Sequence, residues 1–212
     1  MSITIYSGTP GSGKTLHAVA DIRNALNKPR GADRPVLANF DVDTSTCRRS
    51  CFHRFENREI TPRMLCDFAD EFWDSGVRPY SEDYLLLVLD ECSLIFNSRL
   101  WMSKGTGKGD SRMDWLEFMS QHRKYGYKII LVTQSAKMID NQFRMLVDDE
   151  VNHRKVDYMG AIGAMLGFLC GHRLFMLVHK LFQSNEQLGI RFMWRLDAVS
   201  SMYDTNTRLR RV

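Results

Sequence analysis

Apolar residues fall along this chain in two rhythms. Short runs without polar alternation recur as SITIYS at 2–7, PVLANF at 35–40, YLLLVL at 84–89 and KIILVT at 128–133. Runs of that length and density predict strands buried on both faces. Between them, apolar residues recur three and four apart. In KTLHAVADIRNALN, Leu16, Val19, Ala20, Ile22 and Leu26 share one helical face, and Pro29 and Gly31 stop the pattern. TPRMLCDFADEFWDSG predicts a helix with Thr61 as N-cap and Pro62 in its first turn, ended by Gly76. RMDWLEFMSQHRKYG predicts another, ended by Gly126. Residues 43–58 read as polar, basic and irregular, and residues 136–150 are expected to be helical.

The character changes near residue 158. An apolar segment at 159–170 is followed by RLFMLVHKLF and IRFMWRL, separated by QSNEQLG, which suggests a hairpin. Strand and helix alternate over 1–135, so the expected architecture is α/β, a mostly parallel sheet with helices on both faces. The expected organisation is a core over 1–157 and a C-terminal extension over 158–212, made of an apolar helix, a β-hairpin and a tail packed on that core.

Candidate chemistry begins at the first strand's end. Gly8, Thr9, Pro10, Gly11, Ser12, Gly13, Lys14 and Thr15 satisfy G-x-x-x-x-G-K-[ST] in full, with a predicted strand before and helix after. The glycines let the backbone curl so that its N–H groups point inward at phosphate oxygens. The helix start adds the positive end of its dipole. Lys14 is expected to reach the β- and γ-phosphates, and the Thr15 hydroxyl to ligate Mg²⁺. The alternative is a glycine-rich turn with a chance match, and the strand–loop–helix frame argues against it.

Parallel strands end together at one edge, where ligands bind. Asp90, ending the strand 84–89, is expected beside Thr15 as a Mg²⁺ ligand, directly or through water. Glu91 is expected to polarise the attacking water. An adjacent Asp-Glu pair points to the ATPase branch with an added catalytic carboxylate. The expected fold class is therefore a P-loop NTPase of the RecA and FtsK/HerA type; the alternative is two solvated acids at a strand end. Gln134, after KIILVT, is expected between the phosphate strand and the Asp-Glu strand, sensing the γ-phosphate or orienting water, unless it merely caps its strand. Arg99, Arg123 and Arg144 are candidates for an arginine supplied by a neighbouring subunit, which would require a ring; a solvated or salt-bridged arginine is the alternative for each.

Composition narrows the setting. With 212 residues, 44% of them hydrophobic, the chain can bury one good core with a small appendage. A formal net charge of +4 permits contact with nucleic acid or anionic lipid without arguing for it. Five scattered cysteines with no disulfide spacing suggest a reducing, cytosolic compartment. No basic-then-apolar leader opens the chain, and no apolar stretch reaches the roughly 18 residues of a membrane span. Cys47, Cys51, His53 and Cys66 could be imagined around zinc, but the C-x₃-C spacing disfavours it. Trp101 and Trp115 read as core rather than base-stacking platforms. The helix at 159–170 is expected to be buried, with docking at a membrane or subunit interface as the alternative.

LVLDECSLIFNSRLW makes the pattern specific. With the N-terminal phosphate loop, LANFDV, MDWLEFMSQHRKYGYKIILVTQ, IDNQFRMLVDDEV with its basic HRK, and MYDT, the chain resembles the Zot (zonula occludens toxin-like) family. Within that family it looks like the assembly and export ATPase of filamentous phages. The resemblance implies a cytoplasmic ATPase domain of a protein of the host's inner membrane, followed by one spanning helix that these residues do not contain. It implies ATP and Mg²⁺ as cofactors and a homo-oligomer as the working form. It also implies capsid proteins, an outer-membrane secretin and coated single-stranded DNA as partners in assembly and extrusion. Gly8 to Thr15 would bind nucleotide, Asp90 and Glu91 would serve Mg²⁺ and water, and Gln134 would hold the sensor position. Arg123 and Arg144 match basic positions of the family. CRRSCFH and the loop 103–109 follow no family pattern; Lys104 and Lys108 there are either solvated or in contact with DNA or coat protein. Competing readings are an ATPase translocating duplex DNA and a non-hydrolysing nucleotide-binding scaffold or toxin. Host toxicity has no support in these residues.

Overall fold

The computed structural model describes residues 3–28, 34–49, 51–76, 79–96 and 111–203. Among these, the strands are β1 (Ile3–Gly8), β2 (Val36–Ala38), β3 (Phe52–Arg54), β4 (Leu85–Leu89), β5 (Tyr127–Val132), β6 (Asp149–Lys155), β7 (Leu174–Leu181) and β8 (Gln187–Trp194). The helices are α1 (Lys14–Asn27), α2 (Pro62–Asp74), α3 (Arg112–Gln121), α4 (Asn141–Arg144), α5 (Gly160–Leu169) and α6 (Asp197–Ser200). The strands form one sheet in the order β3-β2-β4-β5-β1-β6-β7-β8. The six strands from β3 to β6 run parallel, and β7 and β8 continue the sheet antiparallel. β5 does lie between β4 and β1, as expected for the strand that precedes Gln134.

The apolar runs are strands because both their faces are covered. Leu85, Leu87 and Leu89 pack with Leu65 of α2 and Trp115 and Phe118 of α3. Leu86 and Val88, on the opposite face, pack with Val19 and Ile22 of α1. α2 starts as expected: Thr61 accepts a hydrogen bond from Met64 N at 3.2 Å, and Pro62 follows it. α3 starts on a capping box between Ser111 and Asp114. It ends at Gln121, short of Gly126, and the remaining residues close in turns that include Tyr127 N donating to His122 O at 3.0 Å.

Three expectations are corrected. The irregular stretch 43–58 contains β3, a short strand on the sheet's edge. The expected helix at 136–150 is a 3-10 turn and the single turn of α4, after which the chain enters β6. The sequence of β6, DEVNHRK, hides its nature because its polar groups are paired across the sheet. Thr4 Oγ1 donates to Asp149 Oδ1 at 3.0 Å, Ser7 Oγ donates to Glu150, and Asn152 Nδ2 donates to Ser7 Oγ at 3.0 Å. Satisfied polar groups can be buried at little cost, so no hydrophobic pattern is required. The third correction is α5, expected in the core: Ile162, Phe168 and Leu169 are 72%, 75% and 71% exposed. Among the described residues no helix is long and apolar enough to cross a membrane, and no set of His, Cys, Asp and Glu side chains converges as a metal site.

Trp115, fully buried, lies edge-on to Phe96 at 5.0 Å and to Phe118 at 6.2 Å between ring centroids. Trp115→Ala is expected to cost about 3–5 kcal/mol of folding stability, measured as a lower urea midpoint with an unchanged slope.

Candidate nucleotide site

The loop 8–15 leaves β1 at the carboxyl edge of the sheet and enters α1. Gly8 has φ 145° and Gly13 φ 90°. A Cβ on Gly8 would lie 2.4 Å from His153 O, and one on Gly13 2.9 Å from the Phe175 ring. A side chain at either position would be strained and crowded, so the loop's path needs glycine there. No side chain caps the N-terminus of α1, and its first turn carries no acid. Its first N–H groups are therefore left to the loop and to whatever anion the loop holds. Ser12 Oγ is buried among the loop atoms without a hydrogen-bond partner. Lys14 folds back over the loop: its Nζ donates to Gly8 O at 2.8 Å and Thr9 O at 3.0 Å. Burial pushes the Lys14 pKa below the usual lysine value, against the pull of Asp90 and Glu91.

Asp90 follows β4 and meets the loop from the side. Thr15 Oγ1 donates to Asp90 Oδ2 at 3.1 Å, and Glu91 N donates to Asp90 Oδ1 at 2.8 Å. Desolvation raises the Asp90 pKa, and these two hydrogen bonds pull it back. Thr15 and Asp90 thus present two oxygen ligands of the kind a hard divalent cation takes. Glu91 occupies the left-handed region at φ 47°, turning the chain out of the strand direction into a 3-10 turn at Cys92–Leu94. A non-glycine residue held there is strained, and such strain concentrates at functional sites.

Asn39 holds this corner in place. It follows β2 and is 2% exposed. Its Oδ1 accepts from Asp90 N at 2.7 Å, and its Nδ2 donates to Asp90 O at 2.7 Å and to Asn57 Oδ1 at 2.7 Å. One side chain therefore satisfies both backbone groups of Asp90. The signal available in the sequence was only that Asn39 interrupts one apolar run as Asp90 ends another. The pairing of Ala38 with Val88 brings the two ends together.

A second missed feature lies beneath the loop. His153 Nδ1 is 2.9 Å from Val151 O and 3.2 Å from Ser7 O, so it carries the proton and donates. His153 Nε2 then accepts from His17 Nδ1, 2.9 Å away. The Tyr6 ring stacks on His17 at 4.5 Å, and Tyr6 Oη donates to Asp21 at 2.5 Å. Burial, then the neighbouring His17, pushes the His153 pKa down to about 3, and burial lowers that of His17 as well. This pair links α1 to β6 directly behind Gly8.

The remaining predicted residues divide. Gln134 follows β5, is exposed at the same edge, and its carbonyl accepts from Gly8 N at 3.3 Å. It lines a cleft of about 630 Å³ with Gly8, Thr9, His153, Arg154 and Lys155. Arg123 stands at the opposite, amino edge. It pairs with Asp148 at 3.6 Å, and Asp148 accepts from Ile3 N at 3.1 Å. Six residues of β1, about 20 Å of strand, separate that edge from the loop. Arg144 ends α4 and donates to Asn141 Oδ1 at 3.1 Å, three residues before Val147 and four before Asp148. The structure does not bring either arginine to the loop of its own chain. Arg99, Trp101, Lys104 and Lys108 lie outside the described residues.

Asn39→Leu leaves the Asp90 N–H and C=O without these partners and is expected to cost about 1–3 kcal/mol, read by urea denaturation. The histidine pair predicts a pH dependence. Folded His153 stays neutral down to about pH 3, whereas in the unfolded chain it takes up a proton below about 6.5. The unfolded state then binds more protons, so stability present above that pH is lost as pH falls from 6.5 toward 3. His153→Gln is expected to flatten the fall between pH 6.5 and 5.5, before the carboxylates titrate. An equal slope in both proteins would refute the neutral pair.

Comparison with known proteins agrees with this geometry. The family model described as Zonular occludens toxin (Zot) matches residues 2–191. The Gene 1 protein of Salmonella phage IKe is 30% identical over 187 residues, covering 82% of this chain and 46% of that protein. The Putative assembly protein ORF301 of Pseudomonas phage Pf3 is 28% identical over 145 residues, 68% of this chain and 40% of that one. The chain thus spans about half the length of the curated relatives it matches, or less. The crystal structure of the N-terminal domain of zonular occludens toxin from Neisseria meningitidis aligns with 96% of this chain and 98% of its own, at 17% identity and a TM-score of 0.55. The DNA-packaging ATPase from Sulfolobus Turreted Icosahedral Virus aligns with 92% and 98%, at 12% identity and a TM-score of 0.51. The fold is that of an α/β P-loop NTPase, and the chain belongs to the Zot family.

Proposed function

We propose that this chain is an ATP-hydrolysing motor domain that drives assembly and extrusion of filamentous phage at the host's inner membrane. The observation that carries the reading is the corner where Thr15 Oγ1 meets Asp90 Oδ2 at 3.1 Å, with Lys14 folded over the adjoining loop and Glu91 next in line. Relatives named as phage gene 1 and assembly proteins support the biological setting.

The loop amides and the α1 N-terminus receive the β- and γ-phosphates, and Lys14 exchanges its carbonyl partners for phosphate oxygens. The glycine path, the orphaned Ser12 hydroxyl and the paired oxygens of Thr15 and Asp90 suit a Mg²⁺–nucleotide complex. Thr15 and Asp90 would hold the metal, whose charge neutralises the phosphates. Glu91 accepts a proton from the attacking water, and Gln134 orients that water or senses the γ-phosphate. Asn39 fixes the backbone from which Asp90 and Glu91 project. Arg123 lies a strand's length from the loop, so an arginine role for it belongs to a neighbouring copy, and Arg144 is the other candidate for that role. Residues 1–157 carry the chemistry, and in the extension that begins at 158, β7 and β8 continue the sheet beyond β6. Capsid proteins, a secretin and coated single-stranded DNA would be its partners, with this domain on the cytoplasmic side of the host's inner membrane.

Glu91→Gln is expected to lower ATP turnover by at least about 10²-fold while nucleotide binding, titrated with a fluorescent analogue, stays within a few-fold. Lys14→Ala is expected to weaken both. Turnover surviving in Glu91→Gln would exclude the base assigned here.

A further inference from the structure

The cleft of about 630 Å³ beside the phosphate loop has two unlike ends. It lies over the carboxyl ends of β5, β1 and β6, which are neighbours in the sheet. Gln134 lines it after β5, Gly8 and Thr9 line it at the end of β1, and Arg154 lines it on β6. Two strand spacings, about 10 Å, separate the first of these from the last. Tyr158 and Met159 continue the lining beyond Arg154. They belong to the 3-10 turn Val156–Tyr158 and the residue after it. Val156 of that turn packs with Met176 and Val178 of β7, the strand beyond β6, so the turn stands on the side away from β5. The cleft is therefore polar where it meets the loop and apolar at its outer end.

The outer end is held in place while staying open. Asp157, in the middle of the turn, pairs with Lys155 Nζ at 2.7 Å and with His172 Nδ1 at 3.0 Å. A Cβ on Gly163 of α5 would lie 2.4 Å from Val156 O, so the helix rests on the turn from the other side. Lys155 Nζ also stands over the Tyr158 ring, 5.9 Å from its centroid, within cation–π range. Yet Tyr158 is 76% exposed and Met159 45% exposed. Such a ring is ordinarily just a wetted surface residue. Here it ends a cleft that runs into a phosphate loop. No Asp or Glu lines that cleft, and Arg154, whose Nε donates to Asn152 Oδ1 at 3.3 Å, stands between loop and ring.

A nucleoside triphosphate has the same polarity: anionic at one end, flat and aromatic at the other. Its γ-phosphate is placed toward β4 by Thr15, Asp90 and Glu91, and its β-phosphate lies over the loop at the end of β1. The same line continues away from β4, over β6, to Tyr158. Every base has a π-face, and an aromatic side chain fixed beforehand offers a platform for it without an ordering cost. We propose that the outer end of this cleft is the subsite for the base of the bound nucleotide, with Tyr158 as the ring on which the base stacks. This rests on the nucleotide reading above and adds to it the residue that grips the base. A tyrosine beside an arginine would also suit single-stranded nucleic acid. The continuity of the cleft with Gly8 and Thr9 favours the nucleotide held there.

Titration calorimetry on the 212-residue chain tests it with two ligands, each with Mg²⁺. One is β,γ-methylene ATP, which is not hydrolysed, and the other is inorganic tripolyphosphate, which has no base. Tyr158→Ala is expected to weaken binding of the ATP analogue about 5-fold or more and to leave that of tripolyphosphate unchanged. Tyr158→Phe, which keeps the ring, is expected to bind both as the native chain does. Tyr158 is exposed, and unchanged thermal unfolding confirms the fold of each variant. Unaltered binding of the ATP analogue to Tyr158→Ala would overturn the proposal and leave the phosphate site standing. Equal weakening of both ligands would overturn it too, since the ring would then act through the loop. So would native binding of the analogue by Tyr158→Ala together with lost binding of a single-stranded oligothymidylate, because the platform would then serve nucleic acid. A native chain that binds neither ligand would overturn the nucleotide reading itself, and the subsite with it.

Discussion

Everything at the candidate nucleotide site depends on parallel strands ending together. β1, β4 and β5 are held in register by continuous ladders, Ile5 with Leu131 and Leu87 with Ile129. Their ends therefore deliver Gly8, Asp90 and Gln134 to one edge, although 82 residues of numbering separate Gly8 from Asp90. The burial of Leu85 to Leu89 on both faces makes that register costly to change, because a slip would expose one core to the other's partners. The strain at Glu91 is tolerable for the same reason. Its strand is fixed before it, Asn39 grips Asp90 from the side, and the chain has nowhere else to turn.

Polar groups carry part of the fold that apolar burial cannot. β6 joins the sheet through Thr4, Ser7, Asp149, Glu150 and Asn152, and its His153 reaches His17 on α1. This ties the strand outside β1 to the helix that begins at the phosphate loop. A network of this kind demands that every member be satisfied, which makes it specific in a way a greasy contact is not. It also couples the ground beneath the loop to pH, with loss of stability on the acid side.

Some of this was legible from the residues alone. The loop, α1, the Asp-Glu strand and the hairpin each have a local signature: a fixed spacing, a helical period, an unbroken apolar run. β6 and β3 lack one. Their stability comes from neighbours hundreds of atoms away along the chain, and a polar strand paired across a sheet looks like a solvated segment in one dimension. α5 misled in the opposite sense. Its composition says core, but Gly163 and Gly167 are what touch the protein, so its apolar face is outward.

By itself, the sequence determined the phosphate loop, the two acids and the α/β rhythm, because each rests on residues adjacent in the chain and on backbone chemistry that local spacing dictates. Nothing short of the assembled sheet shows that Asn39 clamps Asp90, that His153 meets His17, and that Arg123 stands at the far edge. Those relations depend on strand order and register, which arise from the burial of every strand at once and leave no mark at any single position.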